Sequence, residues 1–160
     1  MATSTGRETC GVTLIELIMV ISLIGIIAAV ATPRYSDSLK QFQAESAAGR
    51  IEADLKMARR QAFIMGKDIS VLFDTGTHSY SMPNIASLDK TQQPYQMRLS
   101  VSPFYASLNS ASFPGGTGGD KQVVFNRYGI PDGGGSVVLR CGGTTKTVVL
   151  NANSGKVTIQ

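Results

Sequence analysis

Val12-Thr13-Leu14-Ile15-Glu16-Leu17-Ile18-Met19-Val20-Ile21-Ser22-Leu23-Ile24-Gly25-Ile26-Ile27-Ala28-Ala29-Val30-Ala31 is a run of twenty residues with three polar positions, Thr13, Glu16 and Ser22. Twenty residues of helix rise about 30 Å, the thickness of a bilayer's hydrocarbon core. The run therefore reads as a membrane-crossing helix. Its informative residue is Glu16. A carboxylate in such a segment costs roughly 3 kcal/mol or more, so it reads as functional and calls for a partner. If the chain is cut between Gly11 and Val12, the new α-amine lies four residues from Glu16 and supplies that partner at helical spacing.

Two plainer readings compete. In a secretory signal peptide, Arg7 would be the charged region and Ala29-Val30-Ala31 the cleavage pattern. The apolar run is longer than the 7–15 residues of such a core, and Glu16 sits near its start. A single-pass anchor explains the length and leaves the acid unexplained. A lipid-modified Cys would follow the apolar core, whereas Cys10 precedes it.

Gly11-Val12-Thr13-Leu14-Ile15-Glu16-Leu17, the apolar run and Pro33-Arg34-Tyr35 together resemble the N-terminus of type IV pilins and pseudopilins. The resemblance implies cleavage between Gly11 and Val12 by a prepilin peptidase and N-methylation of Val12. It also implies that Glu16 neutralises the amine of a neighbouring subunit during assembly. Val12 stands where Phe is more usual. Charge leaves topology open: Arg7 is offset by Glu8, and Arg34, Lys40 and Arg50 follow the span, so the positive-inside rule alone even favours the reverse orientation. The resemblance puts the leader in the cytoplasm and the globular domain in the periplasm.

Four segments follow: leader 1–11, membrane and assembly helix 12–32, amphipathic helix 33–66 and β domain 67–160. Pro33 is expected to kink or interrupt the helix, because it lacks an amide hydrogen. Ala47, Ile51, Leu55, Ala58, Ala62 and Met65 form one apolar stripe that serves as core or as partner surface. Glu52 and Lys56 support it four residues apart, and Gly66 ends it.

Beyond Gly66, Ile69, Val71 and Phe73, a turn at Asp74-Thr75-Gly76, and His78, Tyr80 and Met82 predict a hairpin. Tyr95, Met97, Leu99 and Val101 predict a strand ended by Pro103. Residues 102–121 read as a long loop, with Pro114-Gly115-Gly116-Thr117-Gly118-Gly119 at its centre. Strands are expected near 122–126, 136–141, 144–150 and 156–159. The fold class is α+β, a long helix packed on an antiparallel sheet or sandwich of about seven strands.

Leu55–Ala62, Val123–Gly129, Val148-Val149-Leu150 and Ser154-Gly155-Lys156-Val157 are similar to the pseudopilin branch that holds protein H of type II secretion (GspH) and the FimT- and FimU-like minor pilins. That likeness implies a structural subunit whose partners are other pilins, the prepilin peptidase and the inner membrane. The machine is a secretion pseudopilus or, alternatively, a type IV pilus in which the subunit primes assembly or holds DNA.

The residues offer no enzyme and no cofactor. His78 is the single His and reads as a strand residue; no Cys/His cluster has zinc spacing. Gly119-Asp120-Lys121-Gln122 lacks the ending of a phosphate loop. Asp132 among glycines reads as a turn residue before a cation ligand. Once the leader is removed, Cys141 is the remaining thiol, alternating with Val137 and Leu139 as a buried position; an intermolecular bridge is its alternative. The net charge is +4, and from residue 91 onward six Lys or Arg face two Asp. Arg140, Lys146 and Lys156 are therefore candidate DNA contacts. DNA is not favoured, because Gly155-Lys156-Val157-Thr158 keeps one basic position of the Gly-Arg-x-Arg pattern in DNA-holding relatives and loses the other.

Overall fold

The computed structural model describes residues 11–87, 93–116 and 118–160. Arg7, Glu8 and Cys10 lie outside the described residues, as does Thr117. Helix α1 (Leu14–Met65) is followed by strands β1 (Ile69–Asp74), β2 (Ser79–Ala86), β3 (Pro94–Arg98), β4 (Ser107–Ser112), β5 (Gln122–Phe125), β6 (Gly135–Cys141), β7 (Thr144–Leu150) and β8 (Val157–Ile159). The chain divides into two compact units, one ending at Asp37 and the other Ser38–Gln160.

Within the second unit the eight strands make two antiparallel four-stranded sheets, in the orders β3-β2-β1-β5 and β4-β6-β7-β8. Ala47, Ile51, Leu55, Ala58 and Ala62 are all buried, as the stripe predicts. Met65 departs from it and is 49% exposed. The helix ends there, because Gly66 turns into the left-handed region (φ 63°) and Lys67 N donates back to Ala62 O at 3.3 Å. Ile69, Val71, Phe73, Tyr80, Met82, Val123 and Phe125 from one sheet, and Leu108, Val137, Leu139, Val148 and Leu150 from the other, join the helix in one contiguous core. Phe73 stacks on Phe113 (5.4 Å between ring centres).

Several expectations need correction. The 102–121 segment is not all loop: it contains β4, paired with β6 from Ser107↔Arg140 to Ser112↔Ser136. A register shift between Leu108 and Ser110 breaks the period of two, and Ser, Asn and Ala at five of its six positions hide the apolar signal. The strand at 95–101 stops at Arg98. Leu99 N donates to His78 O, and Phe104 N and Tyr105 N both donate to Val101 O, so Pro103 lies inside the turn that follows. His78 is not in β2 but in the preceding turn, at φ 50°. Between Met82 and Ala86 the β2–β3 register shifts, where Pro83 cannot donate to the ladder.

Helical assignment passes through Pro33 without a break, so Pro33 does not divide α1 into two elements. That continuity is the point at which the interruption expected from its missing amide is not observed.

Candidate assembly site

In the first unit, Gly11 and Val12 precede the helix and α1 begins at Leu14. Thr13 is the N-cap: its Oγ1 accepts the Glu16 amide at 3.3 Å, and its carbonyl accepts the Leu17 amide at 3.2 Å. Thr-x-x-Glu is the capping-box spacing. A carboxylate in the first turn also faces the positive end of the helix dipole. Glu16 thus stands on a helix start that the chain itself defines. Val12 lies outside the helix, so its four-residue separation from Glu16 is not a helical pair within one subunit. Thr13 and Glu16, three residues apart at the start of an apolar run, are the sequence signal for this cap.

The apolar side chains of the span are exposed from Val12 to Ile27, and α1 is long and apolar enough to cross a membrane. Protein atoms of the described structure leave this face uncovered, which is what a lipid- or helix-facing surface requires.

In the second unit, a polar cluster fixes α1 on its sheet. Asp54, 4% exposed, accepts at Oδ2 from Tyr80 and Tyr95 (2.5 Å each) and from Arg50 Nε (3.2 Å). Arg50 Nη2 also donates to the Tyr95 hydroxyl at 2.6 Å. Its bond to Tyr95 is the main reason the Arg50 guanidinium is held above its usual range. Burial, then the Asp54 carboxylate, push the Tyr80 phenol well up, and burial and the hydrogen bond to Asp54 raise Tyr95 above its ordinary value. Asp54 four residues after Arg50, on the edge of an apolar stripe, was the available signal for this cluster.

Arg59 ties two distant turns to the helix. It donates to Gly155 O at 3.3 Å, and a Cβ on Gly129 (φ 74°) or Gly155 (φ 60°) would lie 3.2–3.3 Å from its side chain. Gly is required at both places for conformation and for space.

The remaining candidates are now placed. Cys141 is buried, and its thiol donates to Gln43 Oε1 and Tyr105 O. Asp132 acts as an edge cap, accepting Val124 N at 2.9 Å while its own amide donates to Val124 O. No group of three metal-ligating side chains exists among the described residues. Arg140 and Lys146 alternate to opposite faces of the second sheet: Arg140 pairs with Thr145 on the outer face, and Lys146 pairs with the buried Leu139. Lys156 is exposed before β8. These three cations do not make one surface.

Comparison with known proteins agrees with this architecture. Residues 47–155 match the family model of Type II transport protein GspH. Two fimbrial proteins of Pseudomonas aeruginosa are 44% identical over 59 residues, 37% of this chain and 38% of theirs, so the match spans little more than a third of those relatives. The fold is similar to that of the minor pseudopilin EpsH from the type 2 secretion system of Vibrio cholerae (TM-score 0.53, 15% identity, 74% of this chain and 96% of that one). It is also similar to the type IV minor pilin FimU of Pseudomonas aeruginosa (TM-score 0.50, 15% identity, 75% and 90%).

Proposed function

The chain belongs to the GspH family of type II transport proteins, a minor pseudopilin or minor pilin of the type IV pilin superfamily, and on that premise we propose that it is a structural subunit of a periplasmic type II secretion pseudopilus. The match across residues 47–155 is the observation that carries the reading. The subunit is made as a precursor with leader 1–11 and held in the inner membrane by the 12–32 segment, with its β domain in the periplasm. Prepilin peptidase cuts between Gly11 and Val12 and methylates Val12. Its work is assembly, not catalysis.

Glu16 supplies the step that selects an arriving subunit. An acid left alone in hydrocarbon is costly, and meeting the Val12 amine of a neighbour removes that cost. Thr13 holds the helix start so that Glu16 projects from a fixed first turn. Glu16→Ala is expected to leave the β domain folded and to block incorporation into filaments. Recovery of that variant in sheared filaments at the wild-type level would refute the assignment.

The fimbrial matches at 44% identity support a second reading, in which the same subunit serves a type IV pilus and primes its assembly. Deleting the gene separates the two: loss of an exported protein from the medium supports secretion, and loss of surface pili supports the pilus.

A further inference from the structure

β8 forms one border of the second sheet, and its outer edge is open. Gln160 and Thr147 exchange two backbone bonds, at 2.8 and 3.0 Å. In an antiparallel ladder alternate residues bond to the same neighbour. Thr158 and Gln160 therefore face β7, while Val157 and Ile159 each turn an N–H and a C=O to the other side. Among the described residues nothing bonds to these four groups. The other three borders are guarded. His78 Nδ1 accepts the Leu108 amide on β4 at 3.2 Å, and Asp132 Oδ1 accepts the Val124 amide on β5 at 2.9 Å. β3 starts at Pro94, which has no amide to offer, and ends at Arg98; proline and charge both defend a strand edge.

The open edge of β8 is also one wall of a groove. The groove has a volume of about 520 Å³, and its other wall is Glu52, Lys56 and Arg59 of α1. Lys56 donates to Glu52 at 2.7 Å and Arg59 to Gly155 O at 3.3 Å, so both cations are held in place. Lys156 borders the groove from the solvent face of the sheet, because Val157 beside it is buried and side chains alternate along a strand. Three cations thus line the groove against one acid.

We propose that this groove takes an extended, acidic peptide segment of a different polypeptide, which adds to β8 as a fifth strand of the second sheet. The open amides and carbonyls of Val157 and Ile159 select extended backbone. The added strand has Lys56 and Arg59 on its helix side and Lys156 on its solvent side, so carboxylates are the complementary side chains on both faces. A second copy of this chain does not supply them. Its eight described strands hold a single acid, Asp74, which accepts from Gly76 and Thr77 in its own turn. Guarded borders elsewhere leave β8 as the place where a strand is admitted, and the charge of the groove restricts which strand.

The test uses the full chain in zwitterionic micelles and, as probe, a fluorescent peptide of alternating Glu and Val. Anisotropy reads binding, and amide hydrogen exchange reads its place. The expected result is saturable binding with slowed exchange at Val157 and Ile159. A peptide of alternating Lys and Val should not bind, and Lys156→Glu should weaken the acidic peptide about tenfold. N-methylation of two adjacent central amides keeps the peptide's charge, blocks both of its edges and should lower affinity by at least about tenfold. Ile159→Pro deletes one outward N–H, spares the ladder to β7 and should act likewise at an unchanged melting temperature; if that variant does not fold, the N-methylated peptide decides. No binding, equal binding of the basic peptide, undiminished binding of the N-methylated one, or protection at Gln96 and Arg98 in place of β8 would each overturn the assignment. So would displacement by a single-stranded oligonucleotide of equal charge at matching affinity, which would make the groove a general polyanion site. Any of these leaves the reading of Glu16 standing, because Glu16 lies in the first unit; filaments that take up Glu16→Ala would refute that reading and leave the groove untouched.

Discussion

Tyr80 on β2 donates its phenolic hydrogen to Asp54 on α1 across 2.5 Å, in a place where neither side chain meets much water. With Tyr95 and Arg50 it forms a polar joint between helix and sheet, set among alanines that bury little area each. Truncation at Asp54 strips two phenols and a guanidinium of their shared acceptor. Unsatisfied buried donors cost about 1–3 kcal/mol; the partial exposure of Arg50 keeps its own share small. Asp54→Ala is expected to lower stability by about 2–3 kcal/mol in urea unfolding of the full chain in detergent. A change under about 0.5 kcal/mol would show that the joint contributes nothing net.

The same joint predicts an alkaline limit. Tyr80 and Tyr95 are raised above the ordinary phenol value of 10.0 in the folded chain. The unfolded chain therefore loses these protons first, so the stabilisation is complete below pH 10 and drains away as pH rises above it. Tyr80→Phe removes one such group and should flatten the fall of melting temperature above pH 10. An unchanged alkaline slope would contradict the assignment.

Thr13→Ala removes the N-cap oxygen that accepts the Glu16 amide. Loss of such a cap costs about 1 kcal/mol of helix stability. Amide exchange should accelerate in residues 14–17 of the variant in micelles, with the β domain untouched. Protection equal to wild type would remove Thr13 from the account of the helix start.

Asp132→Ala frees the Val124 amide from its carboxylate partner at 2.9 Å. We expect a loss of about 1–2 kcal/mol and a rise in concentration-dependent aggregation, because an open strand edge templates pairing. Light scattering at matched concentrations reads the second effect, and its absence would mean the cap is redundant.

Much of this architecture was legible. The Ala47–Ala62 stripe and β7 over Thr144–Leu150 match their periods of 3.6 and 2, because each buries one face against a single core. β4 was hidden, since Ser, Asn and Ala carry little hydrophobic contrast and its bulge shifts the phase. Met65 follows the stripe in spacing but is the last residue of α1 and 49% exposed, so periodicity continues there and burial does not. At the N-terminus Glu16 was visible as an oddity in an apolar run, whereas its bond to Thr13 depended on where the helix begins. The Asp54 cluster was obscure because its partners Tyr80 and Tyr95 lie 26 and 41 residues away, and pairing at that range is decided by topology.

His78 accepts the Leu108 amide on its Nδ1 at 3.2 Å, at the outer rim of β4, much as a carboxylate closes the rim of β5. Side chains thus occupy hydrogen-bonding positions along two of the four sheet borders that a stray strand could otherwise extend. In the proposed filament subunit such seals favour growth in one direction, because they discourage the sheets of crowded copies from sticking to one another.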